Sequence, residues 1–320
     1  MRFSTILKGL LAAIGICSLS WAAGGVRLEK IWSLSKDQQG RYLFLMPLEV
    51  VEDAQGNLLV LDKGQVHIYD RQGKFLSVLD VQEKGGCCGE PSDIALDRRG
   101  NIFLCYPNMK LVQGFDREGN RICRFSAKKG TPMQIAIDSH GNFYLNEVGP
   151  EAEDILYKYN PDGNLLAGFG GPEEPKPMAV AKDAPEDFRK IMAAQGFLGI
   201  DSKDNIYFAF RTSYVLRKYS PSGELLWEVK PKEELVLSRP KEGAYHLVGD
   251  MEVTPEGRVF VLRIAPGGKE QKADIWGSDG KLIDSFKLLE RYFGFGLGRQ
   301  STIYFIENVI YRKIDKFALE

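Results

Sequence analysis

One short phrase recurs along the chain and limits the folds that the chain can adopt. Each copy has an apolar strand, a tight turn and a second apolar strand: LEVVEDAQGNLLVLD from Leu48, SDIALDRRGNIFLCY from Ser92, MQIAIDSHGNFYLNE from Met133, LGIDSKDNIYFAF from Leu198, DMEVTPEGRVFVLR from Asp250 and a degraded GFGLGRQSTIYFIE from Gly294. Aligned on the turn, the copies follow one another at steps of 44, 41, 63, 53 and 44 residues. A period of this size indicates a repeat protein.

A second turn follows each phrase and adds two more strands to the unit. It reads YDRQGK from Tyr69, FDREGN from Phe115, YNPDGN from Tyr159, YSPSGE from Tyr219 and WGSDGK from Trp276. Glycine and asparagine suit such turns because they tolerate a positive φ angle. Four short strands in a unit of 40–50 residues are typical of propeller blades. The sequence therefore predicts an all-β fold, a six-bladed β-propeller of four-stranded blades.

The two ends of the chain predict how the ring closes. The sixth unit has a third strand, VIYRKIDKF from Val309, and no fourth strand before Glu320. The strand VRLEKIWSL from Val26 belongs to no unit. We expect this N-terminal strand to pair into the last blade, because pairing would cover two sheet edges that could otherwise aggregate.

The units resemble NHL-type repeats of the six-bladed, TolB-like β-propeller family over nearly all of residues 26–320. The phrase PSDIALDRRGNIFL is close to the family pattern, and QEKGGCCGEP lies where related proteins carry a Gly-rich stretch. The resemblance implies the fold and little about function, because this architecture hosts lyases, lactonases, dehydrogenases and plain binding scaffolds.

Residues 1–22 have the pattern of a signal peptide. They carry Arg2 and Lys8, no acidic residue, a short apolar run, and the small pair Ser20 and Ala22 before the expected cleavage point. A retained membrane anchor is the alternative. We expect the mature chain, residues 23–320, to be one propeller domain that is periplasmic or secreted.

Charge and hydropathy exclude two classes of partner. The formal net charge is −1, from 42 basic and 43 acidic residues, so a polybasic nucleic-acid binder is not expected. After the signal segment no run approaches ~18 apolar residues, so we expect no stable membrane span in the mature chain.

An insertion of about residues 171–196 separates the third and fourth units. Asp183 and Glu186 have capping-box spacing, Pro185 suits a first turn, and Gly196 suits a helix end. The apolar residues Phe188, Ile191 and Met192 would form one stripe. The sequence predicts a helix at about 184–195, as a lid over a pocket or as an insertion packed on blades three and four.

The topology predicts a binding face where inner strands begin and second strands end. The expected ligand-binding residues on this loop-rich face are Asp62, Tyr106, Asn146, Glu147, Phe197, Phe210, Arg211, Arg263, Glu307 and Asn308. Three acids, Glu49, Asp93 and Asp250, begin inner strands at the mouth of the central channel. Several oxygen ligands of this kind suit Ca²⁺ or another divalent cation. The alternative is that the acids cap turns or pair with Arg211 and Arg263.

Four cysteines follow the signal segment, and an exported protein can keep disulfides. We predict that Cys105 is bonded to Cys87 or Cys88, because both sites lie at the loop-rich end of blade two. The alternatives are a vicinal Cys87–Cys88 bridge with redox chemistry and ordinary structural use of all four thiols. Cys123 lies in an outermost strand, where a small packed thiol explains it.

Two functional hypotheses follow. The first is a non-catalytic exported propeller that binds a protein, peptide or glycan with its loop-rich face. The second is a lactonase-like hydrolase or lyase, assisted by a divalent metal at the channel mouth. No nucleophile with an adjacent base can be assigned, and the sequence has no G-x-S-x-G, H-E-x-x-H, P-loop or C-x-x-C-H signature. Of the histidines His67, His140 and His246, the first two are not placed to meet, so a three-histidine zinc site is not expected. We therefore expect binding rather than catalysis.

Overall fold

The computed structural model describes residues 20–23, 26–37, 39–81, 89–176, 179–180, 183–231, 247–264, 270–288, 290–299, 301–308, 310 and 312–319. The described strands form six antiparallel sheets, and the sheet order confirms the predicted six-bladed propeller. In blades one to five the four strands follow chain order from the central channel to the rim, and in blade six an N-terminal strand lies outside the last three strands of the chain.

The first three blades have these strands. Blade one is β3 Pro47–Glu52, β4 Leu58–Asp62, β5 Gln65–Tyr69 and β6 Phe75–Asp80. Blade two is β7 Asp93–Leu96, β8 Ile102–Tyr106, β9 Leu111–Phe115 and β10 Arg121–Ser126, with a short 3₁₀ helix at Pro107–Met109. Blade three is β11 Thr131–Ile137, β12 Phe143–Val148, β13 Leu156–Tyr159 and β14 Leu165–Phe169.

The remaining blades follow the same order. Blade four is β15 Gly196–Ile200, β16 Ile206–Phe210, β17 Leu216–Tyr219 and β18 Leu225–Val229, preceded by the helix α1 Glu186–Ala194. Blade five is β19 Val248–Val253, β20 Val259–Ile264, β21 Gln271–Trp276 and β22 Leu282–Lys287. Blade six has β23 Gly294–Gly298, β24 Thr302–Glu307, β25 Lys313–Leu319 and an N-terminal strand, and the chain begins with β1 Ser20–Ala23 and β2 Val26–Leu34.

The repeated turn phrase has one physical basis. In blade two, Asp97 Oδ1 accepts the backbone N–H groups of Arg99 and Asn101, and the Asn101 side chain donates to Asp97 Oδ2 at 2.8 Å. Gly100 between them has φ +81°. The same Asp–Asn contact recurs in blades one, three and four, so an Asp and an Asn four residues apart fix each of these turns locally. In blade four Asp204, with φ +63°, takes the place that glycine holds in the other three turns.

The ring closes as predicted, by the N-terminal strand. Strand β2 pairs antiparallel with β25, with Trp32 opposite Lys316 and Leu34 opposite Ile314. Leu28, Trp32 and Leu34 are buried. Strand β1, which lies largely within the predicted signal segment, pairs with the outer edge of β2 and gives this sheet a fifth strand.

The hydrophobic core lies between neighbouring blades. Between blades three and four, for example, Tyr144, Phe169, Phe208 and Tyr219 share one cluster of buried side chains. Each blade therefore depends on both neighbours, as expected when one unit cannot bury its apolar faces alone. Within the described part of the chain, no helix has the length and apolar character that a membrane crossing requires.

Helix α1 confirms the predicted position and corrects the predicted ends. The capping box is wrong: Pro185 holds the cap position, without a side-chain hydrogen bond, and its carbonyl accepts the Arg189 N–H. Phe188 is 42 % exposed, so the apolar stripe is narrower than predicted. Gly196 is not a left-handed stop but the first residue of β15, where a Cβ would lie 2.4 Å from the carbonyl oxygen of Ala209.

Candidate functional site

The inner strands line the central channel, and six equivalent positions surround its mouth. They are occupied by Glu49, Asp93, Gln134, Phe197, Asp250 and Gly294. The three predicted acids therefore lie in one ring, as the repeat alignment requires. Blade four differs most, because an aromatic ring stands where blades one, two and five have a carboxyl group.

The acids of blades two and five bridge neighbouring blades. Asp93 accepts the N–H of Ile94 in its own strand at 2.9 Å and the N–H of Ile135 in blade three at 2.7 Å. Asp250 repeats the arrangement with Met251 and Phe295, at 2.8 Å for both. Each carboxylate oxygen thus takes one amide, so these acids neither cap turns nor pair with an arginine.

Blade one contributes a third amide-bound acid. Glu49 Oε1 accepts the N–H of Val50 at 3.1 Å. The three acids together satisfy the channel-facing amides of five inner strands. The equivalent amide of blade four belongs to Leu198, and the neighbouring Phe197 offers it no acceptor.

Burial in the channel perturbs the acids strongly. Desolvation raises the pKa of Asp93 and of Asp250 to about 7, against the amide hydrogen bonds that lower it. Desolvation, with repulsion from Asp250 and Asp93, also raises the pKa of Glu49 well above its ordinary value. The pKa of Glu252, two residues after Asp250 along the same inner strand, is raised by the same causes. The repeat alignment missed Glu252, although its position two residues after Asp250 on one strand indicates a shared face.

The predicted metal site stays a prediction. Among the residues that the structure describes, no three side chains of the His, Cys, Asp or Glu type lie in a group that could hold a metal ion. His67 lies in β5 of blade one. His140 lies in the turn between the first two strands of blade three, at the end of that blade opposite the loop-rich face. His246 lies outside the described residues. In Asp93 and Asp250 each carboxylate oxygen already accepts one amide N–H, which leaves one lone pair per oxygen for a cation.

Three further acids, Asp62, Glu147 and Glu307, lie at the ends of second strands and form an outer ring on the loop-rich face, where they hold the loops together. Asp62 accepts the N–H groups of Leu45 at 2.8 Å and Met46 at 2.6 Å. Glu147 and Glu307 do the same for links in blades three and six; Glu147 accepts from Lys129, Gly130 and the Tyr159 hydroxyl, and Glu307 from Ile310 and Arg312. These contacts give the three acids a structural role, and their predicted contact with a ligand is untested.

The other predicted face residues also make internal contacts. The Tyr106 hydroxyl donates to the carbonyl of Val81 at 2.9 Å. The buried Arg263 pairs with the buried Asp274 at 2.8 Å, not with an acid of the channel. Phe210 is buried beneath the guanidinium of Arg217 (4.6 Å to the ring centroid), and Asn308 is half-buried.

Arg211 has no such partner. Its guanidinium lies over the ring of Phe197, 5.3 Å from the centroid, at the blade-four side of the channel mouth. The Nε atom is shielded from solvent and has no hydrogen-bond partner among the described residues. Burial lowers the pKa of Arg211, and the charge of Asp250 opposes this shift.

The inserted helix is fixed at its C-terminal end. A helix leaves its last four carbonyl groups without partners in the helix itself. Here the carbonyls of residues 192–195 accept the Thr212 hydroxyl at 3.1 Å, the Glu173 N–H at 3.0 Å, the Asn146 side chain at 3.0 Å and the Arg211 N–H at 3.0 Å. These bonds favour the packed insertion over a mobile lid.

Replacing Asn146 by Ala should loosen this helix. The Asn146 side chain also donates to the carbonyl of Ile155 at 2.8 Å, so the variant leaves two buried carbonyls without a donor. We expect a loss of about 2 kcal/mol in unfolding free energy and faster amide exchange in α1, against about 1 kcal/mol for Thr212→Val, which removes one bond. Unchanged exchange in α1 would contradict the assigned anchor.

The described residues do not show the predicted disulfide of Cys105. Cys105 and Cys123 are free thiols in the structure. Cys105 is buried in the cluster between blades two and three, against Val112 and Leu145. Cys87 and Cys88 lie outside the described residues, so the proposed bridge stays a prediction.

The fold places the chain among known six-bladed propellers. It is similar to a virginiamycin B lyase from Staphylococcus aureus (14 % identity, TM-score 0.56, 93 % of each chain covered) and to a gluconolactonase from Xanthomonas campestris (13 %, 0.57, 93 % of this chain and 90 % of that one). A streptogramin B lyase is similar at 12 % identity, with TM-score 0.55 and coverage of 93 % and 87 %. No family model and no curated protein matches the sequence. Identities this low show the fold alone, and the NHL-repeat resemblance stays an expectation.

Proposed function

We propose that the protein is an exported, non-catalytic propeller that binds a protein, peptide or glycan partner with its loop-rich face. Export rests on the signal-like residues 1–22. The binding role rests on the loop-rich face, where the acids of the channel and of the outer ring already serve the fold and apolar side chains remain exposed.

The exposed apolar side chains are the observation that carries the proposal. On the links of blades six and one, Tyr42 is 45 % exposed, Leu45 62 %, Phe293 42 % and Ile310 66 %. The guanidinium of Arg312 lies 5.5 Å from the centroid of the Tyr42 ring. Aromatic and arginine side chains are enriched at protein interfaces, so these residues favour a protein or peptide over a glycan.

A metal-assisted hydrolase or lyase is the second candidate. The similar solved structures include two lyases and a gluconolactonase, and the channel mouth holds acids with raised pKa values, which often mark functional sites. The hydrogen bonds of Asp93 and Asp250 argue against it, because each of their carboxylate oxygens already accepts an amide N–H and keeps only one lone pair for a metal ion.

Thermal melts with divalent cations separate the two candidates. For the binding protein we expect no rise in melting temperature with millimolar Ca²⁺, Mg²⁺, Mn²⁺ or Zn²⁺, and loss of binding on a peptide and glycan array for Leu45→Glu or Ile310→Glu. Leu166→Glu, on the outer strand of blade three, is the matched control. A cation-dependent rise that Asp250→Asn abolishes, with turnover of a lactone or cyclic peptide, would support the enzyme instead.

A further inference from the structure

The blade-four side of the channel mouth lacks the carboxyl group that blades one, two and five supply at this position. Carboxylates of the chain receive the channel-facing amides of Val50, Ile94, Ile135, Met251 and Phe295. At blade four the ring position is Phe197. The amide of Leu198 therefore faces the channel without an acid beside it.

A positively charged side chain, that of Arg211, lies at the same place. The Arg211 guanidinium stacks on Phe197, and no ion pair joins it to an acid among the described residues. Asp250 is near enough for its charge to favour the protonated guanidinium. Its two oxygens, however, each accept a backbone N–H rather than an Arg211 N–H. A partly buried, unpaired guanidinium is costly, and such a group calls for a partner.

We propose that this site, Arg211 with Phe197 and the Leu198 amide, binds the carboxylate of a ligand. Arginine holds carboxylates through two parallel N–H bonds, and the ligand would supply at blade four what Asp93 and Asp250 supply elsewhere. The inference rests on the proposed binding function and names the chemical group that the face recognises. An acidic sugar and the C-terminus of a peptide both carry this group.

Binding measurements on the full mature chain test the site. The probes are D-glucuronate and N-acetyl-glycyl-phenylalanine, each compared with its uncharged amide by calorimetry. We expect at least one acid to bind about tenfold more tightly than its amide, and Arg211→Met to remove that difference. Arg41→Met, an exposed arginine outside the channel, is the matched control. Preference for glucuronate alone identifies an acidic sugar, and preference for the peptide acid alone identifies a C-terminus.

A stability measurement without ligand distinguishes a binding residue from a structural one. Methionine keeps an apolar stem on Phe197 and removes the unpaired charge, so Arg211→Met should melt a few degrees higher than the wild type. A lower melting temperature, or equal affinity for acid and amide with both probes, would overturn the site. Because Leu45 and Ile310 lie outside it, Leu45→Glu should leave probe binding intact, so failure of the site and failure of the proposed face are separate results.

Discussion

A chain that begins at Ser35 should not fold stably. It lacks β2, which forms the fourth strand of blade six and buries Leu28, Trp32 and Leu34. Burial of each such side chain contributes about 1.5–3 kcal/mol. The loss, of roughly 5 kcal/mol or more, is comparable with the whole stability of an ordinary domain. The truncation would also bare the edge of β25 and favour aggregation.

Size-exclusion chromatography and thermal melting of purified chains check this result. The matched control begins at Val26, lacks β1 and keeps β2, and we expect it to stay monomeric and to melt near the full mature chain. A synthetic peptide of residues 26–34 should restore a cooperative melt to the truncated chain by filling the vacant strand position. If the chain from Ser35 melts like the control, the closure does not hold the ring together.

The predictable part of the fold is the part that local rules determine. The Asp97–Asn101 turn is fixed by contacts within five residues, so its repeat could be recognised from the sequence and extended to every blade. Closure by β2 followed from counting strands. The position of α1 followed from Pro185 and the apolar residues after it, but its cap did not, because a proline already holds the chain extended there.

The candidate site was less predictable because it depends on contacts between blades. The repeat alignment placed Asp93 and Asp250 at the channel mouth, yet nothing local indicates that their second oxygens reach Ile135 and Phe295 in the next blade. Arg211 was expected on the ligand-binding face, with pairing to a channel acid as the alternative. Its guanidinium lies over the ring of Phe197, a contact that the local sequence does not indicate.

The channel acids also predict that stability falls as the pH rises. Asp93 and Asp250 have an ordinary pKa of 3.8 and a native pKa of about 7, so between these values the native chain binds more protons than the unfolded chain. The free energy of unfolding therefore decreases through this window. Acids whose pKa is lowered, such as Asp315, act in the opposite sense, but only below about pH 4.

Glu49→Gln with Glu252→Gln should remove part of this pH dependence. Glutamine is neutral at every pH, and its carbonyl can still accept the Val50 N–H that Glu49 accepts. At pH 8.5 we expect the double variant to melt several degrees above the wild type, since each kcal/mol gained corresponds to about 2–4 °C in a domain of this size. At pH 4.5, where burial keeps both wild-type carboxyl groups protonated, the two melts should nearly coincide.

The melts are recorded in the presence of EDTA, so that no bound cation affects the comparison. The matched control is Glu256→Gln, in an exposed turn of blade five, for which we expect no change in melting temperature. The glutamates are chosen over Asp93 and Asp250 because an asparagine there would turn its NH₂ group towards a backbone N–H and lose a bridge between blades. An equal shift at both pH values would mean that packing, not ionisation, separates variant from wild type. Destabilisation at pH 8.5 would mean that the channel needs its negative charge, as a cation site would.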